Sequence, residues 1–313
     1  AADLVPTLQA LAACLGPQFD PLPSWLADPL KVATADQTHA TQRWWAAAAQ
    51  DARRARMQEG ASIRDKCRLA CQKGPVASAW LKAIPGKGSR FEMRDGDYIS
   101  CLRFWLGLPL MTVSEIGFAA CPACGDPADI FGDHFLCCRA NGMAERHNAL
   151  RDEVFDVCTK SGIAVRAEQG CFGGTRDADL LLVGWCKGRS TAVDFTVVHP
   201  LAPSNWPLRL EEAKRELKSA EARMLEIAEE RCRHAGWSYL AAAFSPWGMA
   251  GPSAKGLLQE ISRRAVAALA GWDKTRRQGE IAEGISVTLQ QQVARQLRLR
   301  YRVLQDLVDA EPC

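Results

Sequence analysis

The sequence predicts an α/β protein: a helix, three strands, a second helix and a fourth strand, with a metal-binding knuckle ahead of them and further helices on either side. Three observations predict it. From residue 145 onward, apolar residues recur first at helical spacing, then at strand spacing, in that order. A run of Cys, His, Gly and Asp over residues 121–142 has little periodicity and needs an internal staple. The chain is 313 residues long, 48% hydrophobic and 24% charged, average for globular chains of two or three domains. Such a composition excludes a chain disordered throughout. No apolar run approaches the ~18 residues of a membrane-spanning helix, so no membrane partner is expected.

Taken in order, residues 1–35 are Pro-rich and read as irregular, and a helical pattern runs from about Gln37 to Gln72. Gly74-Pro75 and Pro85-Gly86 punctuate the next stretch, and Tyr98–Leu106 reads as a short helix ended by Gly107 and Pro109. Glu145–Ser161 is amphipathic, with Leu150, Val154, Phe155 and Cys158 at helical spacing. Ile163–Glu168, Ala178–Trp185 and Thr191–Val198 read as strands, the last two joined through Lys187-Gly188-Arg189. Leu208–Ala235 is a long charged helix stopped by Gly236, and Trp237–Phe244 is a fourth strand. Two further helices are expected over 253–310, around breaks at Gly271 and Gly279. The expected organisation is a helical, basic linker region (1–110), a zinc knuckle (111–144), an α/β domain (145–250) and C-terminal helices (251–313). The chain opens Ala-Ala-Asp without Met, as a processed or cut piece would, and shows no secretory signal.

The net charge is only +3, but it is uneven. From Arg43 to Arg90, eleven Lys/Arg stand against three Asp/Glu, and Arg295, Arg298, Arg300 and Arg302 form a second basic set. Clustered basic charge suggests a polyanionic partner, with a solvated helix face as the alternative. Thirteen cysteines, an odd number with many lying singly in apolar segments, favour a reducing compartment, cytosol or nucleus. Cys67 and Cys71, four apart on a helix, read as packing residues, and Trp44-Trp45 as core or base-stacking aromatics.

Cys121-Pro122-Ala123-Cys124 lets two thiolates reach one ion from a tight turn, and His134 and Cys138 follow at distances that complete a Cys₃His tetrahedron for Zn²⁺. Cys137 competes with Cys138 as fourth ligand, and His147 is a further candidate. Four protein ligands leave no open position for water, so such a zinc would be structural. A set of free buried thiols is the alternative.

Asp179 opens the second strand and Asp194 lies inside the third, between Val193 and Phe195. A carboxylate within an apolar strand is costly unless paired or bound to a cation. The hairpin brings the two near each other at one end of the sheet, where Mg²⁺ or Mn²⁺ would relieve their repulsion and serve phosphate hydrolysis. Glu168, ending the first strand, could be a third ligand or a base. Asp179 at a solvated strand start is the bland alternative. Glu153 could reach that metal indirectly, and His199 could carry a proton near the site or be structural.

The combination Cys121-Pro-Ala-Cys-Gly, Gly132-Asp-His134, Cys138 and Arg146-His-Asn-Ala-Leu-Arg-Asp152, followed by Arg176-Asp-Ala-Asp179-Leu-Leu-Leu and Ala192-Val-Asp194-Phe-Thr-Val-Val-His-Pro-Leu201, resembles the C-terminal region of reverse-transcriptase polyproteins from non-LTR retrotransposons. Ala77-Ser-Ala-Trp-Leu-Lys-Ala-Ile-Pro85 and Leu102-Arg-Phe-Trp-Leu-Gly-Leu-Pro109 extend the resemblance, which covers about residues 75–250. It implies a zinc knuckle followed by a restriction-endonuclease-like domain of the PD-(D/E)xK type, whose core also runs α-β-β-β-α-β. It implies Asp179 and Asp194 as catalytic Mg²⁺ or Mn²⁺ ligands, DNA as substrate with RNA as the alternative, a reverse-transcriptase domain in cis or in trans as partner, and a nuclear location. The sequence departs from that family in three ways. Asp177 stands where Pro is usual. Thr196 stands where a lysine is expected, so the resemblance shifts that role to Lys214 or Lys218 on the following helix, which could equally be surface lysines. No Tyr-x-Asp-Asp polymerase motif is present. A nuclease-fold remnant that binds nucleic acid or protein without cutting is the competing expectation.

Overall fold

The computed structural model describes residues 53, 55–84, 90–111, 120–121, 123–138, 140, 142–169, 178–202, 212–267 and 269–310, without the side chains of 168, 169, 212 and 302–310. Trp44, Trp45, Asp177 and the expected irregular start of the chain lie outside these residues. The chain divides into two compact units, 1–61 and 62–313. The second carries all the elements below.

The architecture is mixed α/β, with a four-stranded open mixed sheet. The helix expected over 37–72 is interrupted in its described part. Residues 55–59 are helical, Gly60–Ser62 are not, and α1 starts afresh at Ile63–Cys71. Ser62 causes the restart, because its hydroxyl accepts the Asp65 N–H at 3.1 Å and caps the new helix. A 3-10 turn (Ala79–Leu81) and α2 (Asp95–Leu106) follow. The segment read as loop contains one short helix, α3 (Asp133–Cys137). Then come α4 (Met143–Lys160), β1 (Val165–Gln169), β2 (Ala178–Cys186), β3 (Arg189–Val197), α5 (Glu212–His234), β4 (Ser238–Phe244), α6 (Pro252–Ala265) and α7 (Gly271–Ala310). The run α4 to β4 has the order α-β-β-β-α-β. Gly279 does not break the last helix as expected, because α7 continues through it to Ala310. Only Gly271, with φ +53°, marks a boundary.

The sheet order is β1-β2-β3-β4. The first two pairings are antiparallel and β3/β4 is parallel, so the chain needs α5 as a crossover between them. The β2–β3 turn is Lys187-Gly188, with φ +50° and +79°. Two successive positive φ values make the turn whose twist matches a hairpin, and glycine supplies one of them without strain.

Alternation along the strands divides the core. Leu180, Leu182, Val193, Phe195 and Phe244 face Leu150, Val154 and Cys158 of α4, with Leu257 and Ile261 of α6 and Ile285 and Leu289 of α7. Leu181 and Ala192 face Cys232 of α5 on the opposite side. A second cluster joins Cys67 and Cys71 of α1, Phe104 of α2, Phe135 and Leu136 of α3, Leu217 of α5, Leu297 of α7 and Trp247 from the turn after β4. The Phe104 and Trp247 rings stack at 5.0 Å.

One buried carboxylate locks α5, β4 and α6 together. Glu221, 5% exposed, accepts the backbone N–H of Ala243 (3.3 Å), Ser253 (3.0 Å) and Ala254 (3.1 Å). Two of these are the otherwise unsatisfied donors of the first turn of α6, where negative charge is favoured. Gly251 is tied to this arrangement, since a Cβ there would collide with the Glu221 carboxylate. Glu221→Ala leaves three donors, two of them buried, without an acceptor and is expected to cost about 3 kcal/mol. Urea unfolding checks this, and a variant within 0.5 kcal/mol of the parent would contradict it.

Candidate functional site

The thiols of Cys121, Cys124 and Cys138 and a ring nitrogen of His134 all lie within 4.8 Å of one another. Cys124 Sγ is 3.2 Å from His134 Nε2, and Cys121 Sγ is 3.9 Å from Cys138 Sγ. A tetrahedral zinc with ordinary bond lengths separates its ligands by roughly 3.5–3.8 Å. Both the donor set and its spacing therefore fit a metal ion such as zinc.

Local hydrogen bonding builds this group. Gly125 N–H donates to Cys121 O (2.8 Å) and Cys121 N–H to Asp126 O (2.7 Å), closing the CxxC turn. The Asp129 carboxylate accepts the N–H groups of Phe131 (2.9 Å), Asp133 (3.1 Å) and His134 (2.7 Å), which anchors the start of α3 and aims His134. Gly132 supplies the left-handed step into that helix, φ +81°, where a side chain would meet Leu297. Burial opposes ionisation of Cys121, but hydrogen bonds from the Ala123 backbone and His134 outweigh it and bring the thiol down to about 7. Of the two cysteines competing as fourth ligand, Cys138 belongs to the group and Cys137 does not. Cys137 lies against His199 instead.

Behind the knuckle is a buried polar layer. Asp133 binds Arg64 of α1 and lies 3.2 Å from His199 Nε2. Burial opposes its ionisation, while His199 and Arg64 outweigh that and hold it below the usual carboxylate range. His199 accepts the Leu201 N–H at Nδ1 (3.2 Å), which puts the proton of the neutral ring on Nε2, toward Asp133. It is therefore part of the knuckle's support rather than a proton carrier at the sheet. Arg146, 1% exposed, donates to Gln296 Oε1 (3.0 Å), Leu136 O (3.3 Å) and Val197 O (3.3 Å), joining α4, α3, β3 and α7. Its desolvation brings the guanidinium down to about 10.

The two strand carboxylates meet as expected. The β2/β3 register ends at Leu180↔Val193, and at the next position the side chains take over from the backbone ladder. Asp194 Oδ1 accepts the Asp179 N–H (2.9 Å), and Asp179 Oδ2 accepts the Phe195 N–H (2.7 Å). The other partners come from elsewhere: His147 of α4 places Nε2 2.8 Å from Asp179 Oδ2, and Tyr239 of β4 donates its hydroxyl to Asp194 Oδ2 at 2.7 Å. Among the described residues, no lysine or arginine hydrogen-bonds or ion-pairs with either carboxylate. Burial raises the Asp194 carboxyl above its ordinary value, with Asp179 adding to the rise and Tyr239 opposing it.

Other expected residues fall differently. Glu168 occupies the β1 position between Ala167 and Gln169, whose partners are Leu180 and Ala178, so its backbone lies in register with Asp179; its side chain is outside the described residues. Lys214 and Lys218 are exposed and make no hydrogen bond or ion pair among the described residues, while Ala213, Leu217 and Ala220 form the packed face of α5. The contacts bring neither lysine to the aspartates. Glu153 does not serve the site: it accepts Arg90 through both oxygens (2.8 and 3.0 Å) beside Gly284. His147, considered above for zinc, serves Asp179. In the basic tail, Arg298 pairs with Asp97 (2.7 Å), Arg300 donates to Ala140 O (2.5 Å) and Arg295 is exposed. Sequence reasoning missed Tyr239, Asp129 and Glu221. A phenol within the apolar run Trp237–Phe244 was the one available signal for Tyr239.

The Asp179 carboxylate raises His147 above its ordinary 6.5, with burial opposing. The pair therefore stabilises the fold fully below about 6.5, and that contribution is lost as pH rises through the raised value. In the absence of divalent cations, an NMR titration is expected to place the imidazole midpoint above 6.5, and Asp179→Asn to lower it. An unchanged midpoint in that variant would contradict the contact.

Fold and site together define a mixed α/β domain with a Cys₃His group able to hold a metal and a pair of carboxylates at the end of its central hairpin. No protein-family model matches the chain, and no curated protein matches it either. No helix among the described residues is long and apolar enough to cross a membrane.

Proposed function

We propose that this chain is a metal-dependent nuclease that hydrolyses DNA phosphodiester bonds, of the restriction-like type carried by non-LTR retroelements. One observation carries the reading: Asp179 and Asp194, two half-buried like charges with no lysine or arginine partner among the described residues, meet at one end of the hairpin in an α-β-β-β-α-β unit. Asp179 and Asp194, with Glu168 in register beside them, would hold Mg²⁺ or Mn²⁺. That ion, when bound, lowers the pKa of a water and neutralises phosphate charge. The protein's own contribution is to hold the two carboxylates in place through backbone N–H groups of the opposite strand. Lys214 and Lys218, exposed and without an ion pair among the described residues, stay available to a bound phosphate. The Cys₃His group, carrying zinc, holds the knuckle on the core. The basic segment 43–90 supplies phosphate contacts that position DNA without reading sequence.

A second reading has its own support. Three of the four carboxylate oxygens already accept hydrogen bonds from protein donors, and among the described residues no lysine bonds to them. This favours a nucleic-acid-binding module with a nuclease-like fold and no cleavage. Incubating supercoiled plasmid with the protein in Mg²⁺ or Mn²⁺ against EDTA separates the two. Metal-dependent nicking supports the nuclease. Salt-sensitive DNA binding without nicking sinks it and leaves the binding module.

A further inference from the structure

We propose that Tyr239 is a positioning residue of the carboxylate pair: its hydroxyl fixes the Asp194 carboxylate and thereby sets the site's affinity for a divalent cation. The inference rests on the reading of Asp179 and Asp194 as a cation site. An aspartate carboxylate turns about two side-chain torsions, and one hydrogen bond leaves it free to pivot. Asp194 has two, one on each oxygen: the Asp179 N–H on Oδ1 at 2.9 Å and the Tyr239 hydroxyl on Oδ2 at 2.7 Å. Together they hold it at two points and leave a lone pair on each oxygen. The first donor is main chain, which side-chain substitution short of proline leaves in place. The second is a single side-chain atom.

Tyr239 is itself well placed for this task. It pairs with Ala192 across the parallel β3/β4 ladder, two residues before Asp194 on the same strand face, so its ring reaches Asp194 along the diagonal. The ring packs against Ala178, Leu181, Ala192 and Cys232, which hold the aromatic body still. Phenylalanine would fill this apolar contact equally well, so the hydroxyl is the part that packing does not require. A hydroxyl donating to a carboxylate is charge-assisted and short, and carboxylates that bind metals depend on such outer partners.

The test is Tyr239→Phe in the zinc-loaded protein, read first by Mn²⁺ binding in electron paramagnetic resonance and then by the Mn²⁺ dependence of plasmid nicking. The expected result is a Kd for Mn²⁺ weakened about 10- to 100-fold. The midpoint for nicking shifts by the same factor, and the rate at saturating Mn²⁺ stays within a few-fold of the parent, because the ion then orders the carboxylate itself. An unchanged Kd and midpoint would overturn the positioning role while leaving the nuclease reading intact. Absence in the parent protein of any Mn²⁺ binding that Asp194→Asn removes would overturn both.

Discussion

Asp194→Asn is expected to lower metal-dependent nicking by about 100- to 1,000-fold, with fold and zinc content unchanged. The size follows from removing the charge of one carboxylate proposed to hold the metal: several kcal/mol of charge stabilisation would be lost, at a factor of ten per ~1.4 kcal/mol. The stability should hold because asparagine keeps the acceptor oxygen that receives the Asp179 N–H, the contact that closes the end of the β2/β3 ladder. Its amide can also donate to the Tyr239 oxygen in place of accepting from it. The substitution further removes a half-buried charge whose ionisation burial disfavours, so melting temperature should rise slightly or stay level. The measurement is nicking rate at fixed Mg²⁺ beside thermal melting. Nicking at the parental rate in a well-folded variant would exclude Asp194 from the chemistry.

Removing the metal from the Cys₃His group should destabilise the whole of residues 62–313, not only the knuckle. Structural zinc in small peptides contributes about 10–16 kcal/mol at neutral pH. Here part of that is offset because the knuckle is also held by packing, so a loss of about 5 kcal/mol is a conservative expectation. In a unit of this size that corresponds to a fall of roughly 10–20 °C in melting temperature. The reason for a global effect is the way the knuckle is tied in. Cys121, Phe135, Leu136 and Cys138 share one core cluster with Trp80, Phe104, Trp247 and Leu297. Arg146 holds the Leu136 and Val197 carbonyls and Gln296 at once, and Asp133 binds Arg64 and adjoins His199. A knuckle that opens takes the Leu136 carbonyl from the buried Arg146 guanidinium and separates Asp133 from Arg64 and His199, and buried charged groups that lose partners are expensive. One zinc per chain by elemental analysis, lost in Cys138→Ser but kept in Cys137→Ser, would support the assignment of ligands. Zinc retained in Cys138→Ser, or a melting temperature indifferent to a strong chelator, would contradict it.

What could be read from residue order alone is what near neighbours decide. The strands and helices of residues 143–265 follow from apolar spacing within windows of ten or so residues, and their observed limits differ from the expected ones by a few residues at most. The Cys121-x-x-Cys124 turn and the hairpin that joins Asp179 to Asp194 are likewise local, because a tight turn and a two-strand register bring them together by chain geometry. The failures have the same logic in reverse. Gly279 looked like a break because helix propensity is weak there, yet α7 is held along its length by the core packing of Ile281, Ile285, Leu289 and Leu297. Cys137 and Cys138 are equivalent in sequence; the direction of a side chain at the end of α3 separates them.

The sequence by itself therefore determined the element order, the Cys₃His ligands as a candidate set, and the two strand carboxylates. The tertiary structure decided their partners. Tyr239 meets Asp194 across a parallel pairing that requires α5 to cross over first, and His147 meets Asp179 because α4 lies over that end of the sheet. Glu221 finds three N–H groups only once α6 is docked, and Arg146 finds three acceptors on three separate elements. Hydrogen bonds of this kind have no sequence spacing to reveal them, since each donor and acceptor is brought together by burial of apolar faces elsewhere in the chain.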